Sequence, residues 1–182
     1  HPDYAYAGQA DKMPGMATLP VPGIAWDASH FSRWPLFLLS HAHSWPGTAP
    51  ERRYYDGLRR GLEHQFFAHV LVPPTPGFAG YRTRNFMDGR NGVYRWGYRT
   101  HPDDGYGPFQ LSGTLFYGWW AFLGSARSAE LYRRMAAQFP VPVGQVDLYR
   151  GVRPTQPRFT DGRHELSSLV ASYLRPDNGG CM

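Results

Sequence analysis

Apolar side chains return every three to four positions between residues 26 and 47: Phe31, Trp34, Leu38 and Ala42. That spacing puts them on one helical stripe, opened by Asp27-Ala28-Ser29 and closed by Gly47. Pro35 lies inside the pattern and fits only in the first turns of a helix. The clearest stripe is the next one, Tyr55, Leu58, Leu62, Phe66 and Val70, with Arg52, Arg59, Arg60 and Glu63 on other faces. It predicts an amphipathic helix that begins at Pro50-Glu51, a pair suited to a first turn, and stops before Pro73-Pro74. A third helix is predicted over residues 112–123, with Leu115, Trp119, Phe122 and Leu123 inward. A fourth follows Gly124-Ser125 along Leu131, Met135 and Phe139, and Pro140 and Pro142 terminate it. Residues 141–158 are punctuated by Pro and Gly and read mostly as loop. A fifth helix starts at Thr160 or Asp161 with Glu165 near a capping position, buries Leu166, Leu169, Val170 and Tyr173, and ends at Pro176.

Helices paired by short turns on either side of one long connection describe a mainly α fold of stacked antiparallel helical hairpins. Residues 1–25 form an irregular N-terminal arm, 26–176 a single helical domain and 177–182 a C-terminal tail. No repeat of fixed period is present, so a regular solenoid is not expected. The connection itself, residues 73–111, is too long for an ordinary loop and carries Gly77, Gly80, Gly89, Gly92, Gly97, Gly105 and Gly107. Loops of that length are functional or disordered. Its many Tyr, Phe, Trp and Arg side chains argue against disorder, and residues 92–98 suit short extended pieces.

Composition narrows the chemistry. The 182 residues are enough for one core. The formal charge is +5, and Lys12 is the only lysine among 19 basic residues. Arginine pairs with carboxylates and phosphates through a planar fork that lysine lacks, so the excess points to an anionic ligand, or else to a bias that replaces Lys by Arg throughout. The arginines are dispersed, so nucleic acid is not an expected partner. No apolar run approaches ~20 residues, so no membrane partner is expected either. The lone cysteine, Cys181, permits no internal disulfide and no cysteine metal site. The 29 aromatic residues supply a core and can also stack on sugars or partners. The chain opens at His1 without a leader pattern. It reads as a processed mature form, which would allow secretion or a periplasmic location, or as part of something longer. Oligomeric state is not legible.

Three segments concentrate polar chemistry. In Asp27-Ala28-Ser29-His30-Phe31-Ser32-Arg33, His30 and Arg33 share a face of the first helical turns, with Asp27 at the helix mouth. Asp27 is either a cap for backbone N–H groups or one jaw of a substrate grip. The segment from Asn85 to Tyr98 packs Asp88, two amides, Arg90, Arg95 and the aromatics Tyr94, Trp96 and Tyr98 into one short loop. Asp88 is an ionised structural carboxylate if its neighbours are the arginines, and a general acid if the aromatics wall it off. His101-Pro102-Asp103-Asp104 resembles the metal motif of zinc-dependent sugar deacetylases, and also makes an ordinary turn. His41 and His43 point apart on a helix, and His1 matches the copper-binding terminus of polysaccharide monooxygenases, which are β-sandwiches. No metal or other cofactor is therefore expected. No phosphate loop, nucleophile elbow or zinc-protease motif occurs.

The Asp-x-Ser-His-x-x-Arg helix start and the Gly-Arg-Asn loop followed by aromatics resemble parts of the (α/α) toroidal carbohydrate-active enzymes, both glycoside hydrolases and polysaccharide lyases. The resemblance covers 27–35 and 85–98, with the stretch 112–124 in the same style. It implies a partial toroid, because a complete one needs about twice as many helices, and glycosidic-bond cleavage on a polysaccharide or oligosaccharide. For a hydrolase it implies Asp88 as acid and Asp27 as the base for water. For a lyase it implies Tyr94 or His101 as proton carrier, with Asn85 and Arg90 neutralising a uronate carboxylate. His30, Arg33, Arg95, Trp96, Tyr98 and Tyr106 complete the expected substrate contacts, and the arginines favour an acidic sugar. Two alternatives stand beside it: a binding module using the same aromatic and Arg surface, and a metal-dependent hydrolase using His101 with Asp103 or Asp104.

Overall fold

Pro35 splits the first predicted helix in two. A proline nitrogen cannot donate to the carbonyl four residues back, and its ring crowds that carbonyl. The chain makes one helical turn, α1 (Ala28–Phe31), steps through Ser32 and Arg33, and restarts as α2 (Trp34–His43) with Pro35 in the opening turn. The computed structural model describes residues 9–16, 22–96, 104–152 and 162–174, and these are mainly helical. Along α2, Leu38 and Ala42 are buried as the stripe requires, whereas Trp34 is exposed. The helix ends at His43, ahead of Gly47, and His41 leaves it to stack on Tyr55, with ring centroids 5.1 Å apart.

α3 (Pro50–Gln65) follows its stripe closely. Leu62 is buried, as are Phe66 and Val70 in the π-helical turn Phe66–Val70 that extends it. Leu58 is the exception and remains exposed. The chain then enters β1 (Leu71–Val72), which pairs antiparallel with β2 (Arg82–Thr83), Leu71 opposite Thr83 and Val72 opposite Arg82.

Residues 112–123 do not form the regular helix expected. They make two 3₁₀ turns, Ser112–Tyr117 and Trp119–Leu123, hinged at Gly118 with φ 77°. A Cβ on Gly118 would lie 3.2 Å from the Ala171 Cβ and 3.3 Å from the Ser167 carbonyl oxygen, so close packing here needs glycine. The hinge also changes which tryptophan is inward. Trp120 is fully buried and stacks on Phe66 with centroids 4.0 Å apart, while Trp119 turns outward to a cavity.

α4 (Ala126–Ala136) is capped by Ser125 in reciprocal bonds with Ser128, and it buries Leu131, Tyr132 and Met135. α5 (Val143–Arg150) stands where loop was expected, with Pro142 at its N-cap and Val146 and Tyr149 buried. α6 (Arg163–Ser172) begins later than predicted and turns the other way. Its buried residues are His164, Ser168 and Ala171, while Leu166, Leu169, Val170 and Tyr173 are all exposed, Tyr173 by 75%. α6 packs on α4 and on the first 3₁₀ turn. The tight approach at Gly118 selects the face with small side chains over the more apolar one. α2 packs on α3, and the main core gathers Phe66, Val70, Leu115, Trp120, Tyr132 and Met135 between these elements. No helix among the described residues is long and apolar enough to cross a membrane.

Candidate functional site

Asn85 organises the long central connection. Its fully buried amide donates to the carbonyls of Gly92 and Gly107 at 2.8 and 2.9 Å, and its Oδ1 accepts from the Leu111 N–H at 3.3 Å. Asn91 Oδ1 accepts from the N–H groups of Asn85 and Phe109 at 3.2 and 2.9 Å. Tyr94 and Tyr106 exchange both backbone hydrogen bonds, each 2.8 Å. A small second core of Phe86, Tyr94 and Leu111 lies beneath. The N-terminal arm also rests on this region: the Gln9 carbonyl accepts from Val93 N–H at 2.8 Å, and Lys12 pairs with Asp104 at 2.7 Å. These matched buried polar groups are how an irregular segment stays ordered.

The same segment grips the start of α1. Asp27 and Phe86 form an antiparallel bridge, Ala28 N–H donates to the Asn85 carbonyl at 2.8 Å, and Met87 N–H donates to the Trp26 carbonyl at 2.9 Å. Asp27 is thereby fully buried at a helix mouth. Its Oδ1 accepts from the N–H groups of Ser29 and His30 at 3.1 and 3.0 Å and from the Ser29 hydroxyl, a conventional cap. Its Oδ2 lies 2.9 Å from His30 Nδ1. The cap and the histidine partner are one carboxylate. Tyr94 Oη approaches the same Nδ1 at 3.4 Å. With Nδ1–H directed to the carboxylate, the second imidazole nitrogen is the basic one, and the His30 side chain is 45% exposed to a cavity of about 280 Å³.

That cavity is lined by Ser29, His30, Ser32 and Arg33 from the α1–α2 region and by Tyr94, Arg95 and Tyr106 from the central connection. Gln110, Leu111, Gly113, Thr114, Tyr117 and Trp119 add a third wall, and Tyr149 and Arg150 of α5 a fourth. Three guanidinium groups therefore enter from three separate elements, and no carboxylate is among the described lining residues. Arg95 takes a positive φ of 57° and sets its guanidinium 5.2 Å from the Tyr94 ring centroid. A non-glycine residue in this region carries strain of order 1–3 kcal/mol, a feature concentrated at functional sites. Tyr149 donates to the Tyr81 carbonyl at 2.9 Å, and burial pushes its ionisation far above the usual tyrosine range, with Arg82 opposing the shift more weakly. It stays a neutral donor at working pH.

Of the residues singled out in sequence, His30, Arg33, Tyr94, Arg95 and Tyr106 share this cavity. Asp27 backs it from beneath His30. Asp88 and Arg90 do not line it. The Asp88 carboxylate accepts from Ala25 N–H at 3.2 Å and Arg90 N–H at 2.9 Å, and lies 3.4 Å from Arg90 Nε, so arginine rather than an aromatic wall is its neighbour. Asn85 is spent on backbone carbonyls, and Trp96 is half-buried outside the lining. Tyr98, His101 and Asp103 lie outside the described residues. Asp104 pairs with Lys12, and no group of three or more His, Cys, Asp or Glu among the described residues could hold a metal ion. Tyr117, Trp119, Tyr149 and Arg150 were not anticipated. Trp119 was placed in a regular helix and Arg150 in a loop, so the only available signal was the Tyr149-Arg150 pair itself.

A second hollow, lined by Ala129, Arg133, Ala136, Leu169 and Tyr173, lies between α4 and α6, and its one described lining guanidinium, Arg133, is paired with Glu130. The chemistry is concentrated in the first. Comparison of the chain with protein-family models, with curated proteins and with solved structures returns no match.

Proposed function

We propose that the protein cleaves an acidic polysaccharide or oligosaccharide by β-elimination in the His30 cavity. The observation that carries this reading is a histidine fixed on a buried carboxylate at 2.9 Å, in a cavity with three arginines and no lining acid among the described residues. Hydrolysis by two carboxylates requires both to face one cleft at roughly 5–9.5 Å. Here Asp27 is sealed beneath His30 and Asp88 bonds outside the cavity. Elimination needs a base, a proton donor and a cation for the carboxylate that acidifies the adjacent C–H.

On this reading Arg95 and Arg150 draw the uronate carboxylate, and the open nitrogen of His30 removes the proton at C5. The released electron pair forms the C4=C5 double bond as the C4–O bond breaks. Tyr94 gives its phenolic proton to the departing oxygen, and solvent resets both groups. Tyr106 and Tyr117 offer faces to sugar rings. The helical pairs then belong to a stacked, partly toroidal arrangement, and the ligand is a carbohydrate rather than nucleic acid.

The test is incubation with 4-linked uronans, following absorbance of the conjugated alkene. Elimination by the parent and its loss in His30→Ala and Tyr94→Phe support the reading. Depolymerisation without an alkene product overturns it in favour of hydrolysis. Binding without any turnover favours the second reading, a non-catalytic module for acidic glycans, to which the acid-free arginine lining also conforms.

A further inference from the structure

One elimination requires one carboxylate to be neutralised, yet the cavity is supplied with Arg33, Arg95 and Arg150. Their environments differ. Arg150 has Asp147 3.4 Å away, and Arg95 packs against Tyr94. Arg33 lies over the Trp119 indole, 4.7 Å from the ring centroid, and among the described residues its guanidinium has no carboxylate partner and makes no hydrogen bond. Stacking occupies the face of a guanidinium and leaves its in-plane N–H fork open to an oxyanion. It also orders the side chain before the ligand arrives, which lowers the cost of binding. Because Arg33 already covers Trp119, that indole is a support for the cation. Tyr117, 43% exposed and 6.2 Å from Trp119 between ring centroids, is the more open aromatic surface beside it.

We propose that Arg33 seats a second oxyanion of the substrate, separate from the carboxylate at the reacting carbon. The chemistry is that of a sulfate ester or of the carboxylate on an adjacent uronate. This rests on the eliminative reading of the cavity and adds a substrate class: a saccharide with anionic groups on neighbouring units. Arg33 is a specificity-determining residue, and Trp119 positions it.

Two measurements on the full chain test this. The first titrates sodium sulfate into the parent and into Arg33→Gln at constant ionic strength, read by calorimetry. Arg33→Gln is expected to weaken sulfate binding by roughly tenfold or more, the scale of one lost charge-assisted hydrogen bond. Trp119→Leu, which keeps the cation and removes its support, is expected to weaken it by a smaller factor. Equal sulfate affinity in parent and Arg33→Gln overturns the proposal. The second compares turnover on a uronate homopolymer, a sulfated polymer of alternating uronate and neutral sugar, and that polymer after desulfation. Arg33→Gln is expected to raise KM about tenfold with kcat nearly unchanged where the second anion is present, and to leave the desulfated polymer unaffected. A loss confined to the sulfated polymer identifies a sulfate ester, and one confined to the homopolymer identifies the adjacent carboxylate. An equal loss on all three assigns Arg33 to the reacting carboxylate and overturns the proposal. If the parent eliminates none of them, the proposed function fails, while the sulfate titration still decides the role of Arg33.

Discussion

The His30 imidazole rests on the Asp27 carboxylate with Nδ1 2.9 Å from Oδ2, one partner 45% exposed and the other fully buried. The polarity of the ring follows from that pairing: one nitrogen is committed to the protein interior and the other is left for the cavity. Asp27→Asn retains an oxygen that can cap Ser29 and His30 but presents an amide whose donor side can turn to Nδ1, which favours the wrong tautomer. Stability is expected to fall by about 1 kcal/mol, the scale of a weakened cap. Turnover is expected to fall roughly 10²–10⁴-fold, the range for losing a positioned acid–base group. Urea midpoints and kcat on the same preparation separate the two effects. A kcat equal to the parent's would remove His30 from the chemistry.

Asp88 offers the opposite case. It was the most conspicuous carboxylate in the sequence, yet it closes a turn on Arg90 N–H and holds Ala25 N–H from outside the cavity. Asp88→Asn keeps one acceptor oxygen and loses the ion pair with Arg90, which is a partly exposed contact and worth ~0.2–1 kcal/mol. Turnover within about twofold of the parent is the expected result, because no transition-state contact is removed. A fall of 10²-fold or more in kcat, with an unchanged melting temperature, would restore Asp88 to a catalytic role.

What could be read along the chain was whatever depends on local pattern. The α3 stripe and the cap at Asp27 follow from spacing and are present in the structure, while of the Asn85–Tyr98 cluster only Tyr94 and Arg95 are among the described residues that line the cavity. What could not be read depends on contacts far apart in sequence. Pro142 looked like a terminator, but proline suits a helix start as well as a stop, so α5 was missed and Arg150 with it. Hydrophobicity orients α6 one way, whereas the space left by Gly118 admits Ala171 and the Ser167 backbone and leaves Leu166 and Tyr173 outside. The roles of Asp27 and Asp88 stay open in the sequence because burial and hydrogen-bond partners set a carboxylate's role, and neither is written in the neighbouring residues.

Asn85 holds the cavity wall together without touching the cavity. Its amide N–H groups satisfy the carbonyls of Gly92 and Gly107, and its oxygen meets Leu111 N–H. Asn85→Asp removes both donors and sets a buried carboxylate oxygen against two carbonyl oxygens. The Gly92 carbonyl is left without its donor, while the Gly107 carbonyl keeps the Gln110 N–H at 3.1 Å; a buried acceptor without a donor costs about 1–3 kcal/mol, and with the added oxygen–oxygen repulsion a loss of roughly 2–4 kcal/mol is expected from urea unfolding. Turnover on uronans should fall in parallel, because Arg95 and Tyr94 depend on the same stretch. A variant with the parent's midpoint would show that the Gly92 carbonyl finds another partner.

Tyr132 makes the stability of the fold sensitive to alkaline pH. It is fully buried, and its hydroxyl donates to the Leu115 carbonyl at 2.9 Å, tying α4 to the first 3₁₀ turn. Burial drives its ionisation well above the ordinary tyrosine range, and a hydrogen bond with the Trp120 backbone opposes this only in part. The folded state therefore keeps the phenolic proton while the unfolded chain releases it near pH ~10. Below that pH both states hold the proton and the full stabilisation is present. Above it the unfolded state binds fewer protons, so stability falls as pH rises, by up to ~1.4 kcal/mol per pH unit for each such tyrosine. Tyr149 adds a contribution of the same sign. Tyr132→Phe leaves the Leu115 carbonyl with the Gly118 N–H alone, at 3.2 Å, and should cost about 0.5–1.5 kcal/mol at neutral pH, but it also removes one of the two titrations. The gap in melting temperature between parent and Tyr132→Phe should thus narrow from pH ~8 to ~11. A gap that stays constant across that range would mean that the hydroxyl ionises alike in the folded and unfolded chains, and that the core around Leu115 admits water.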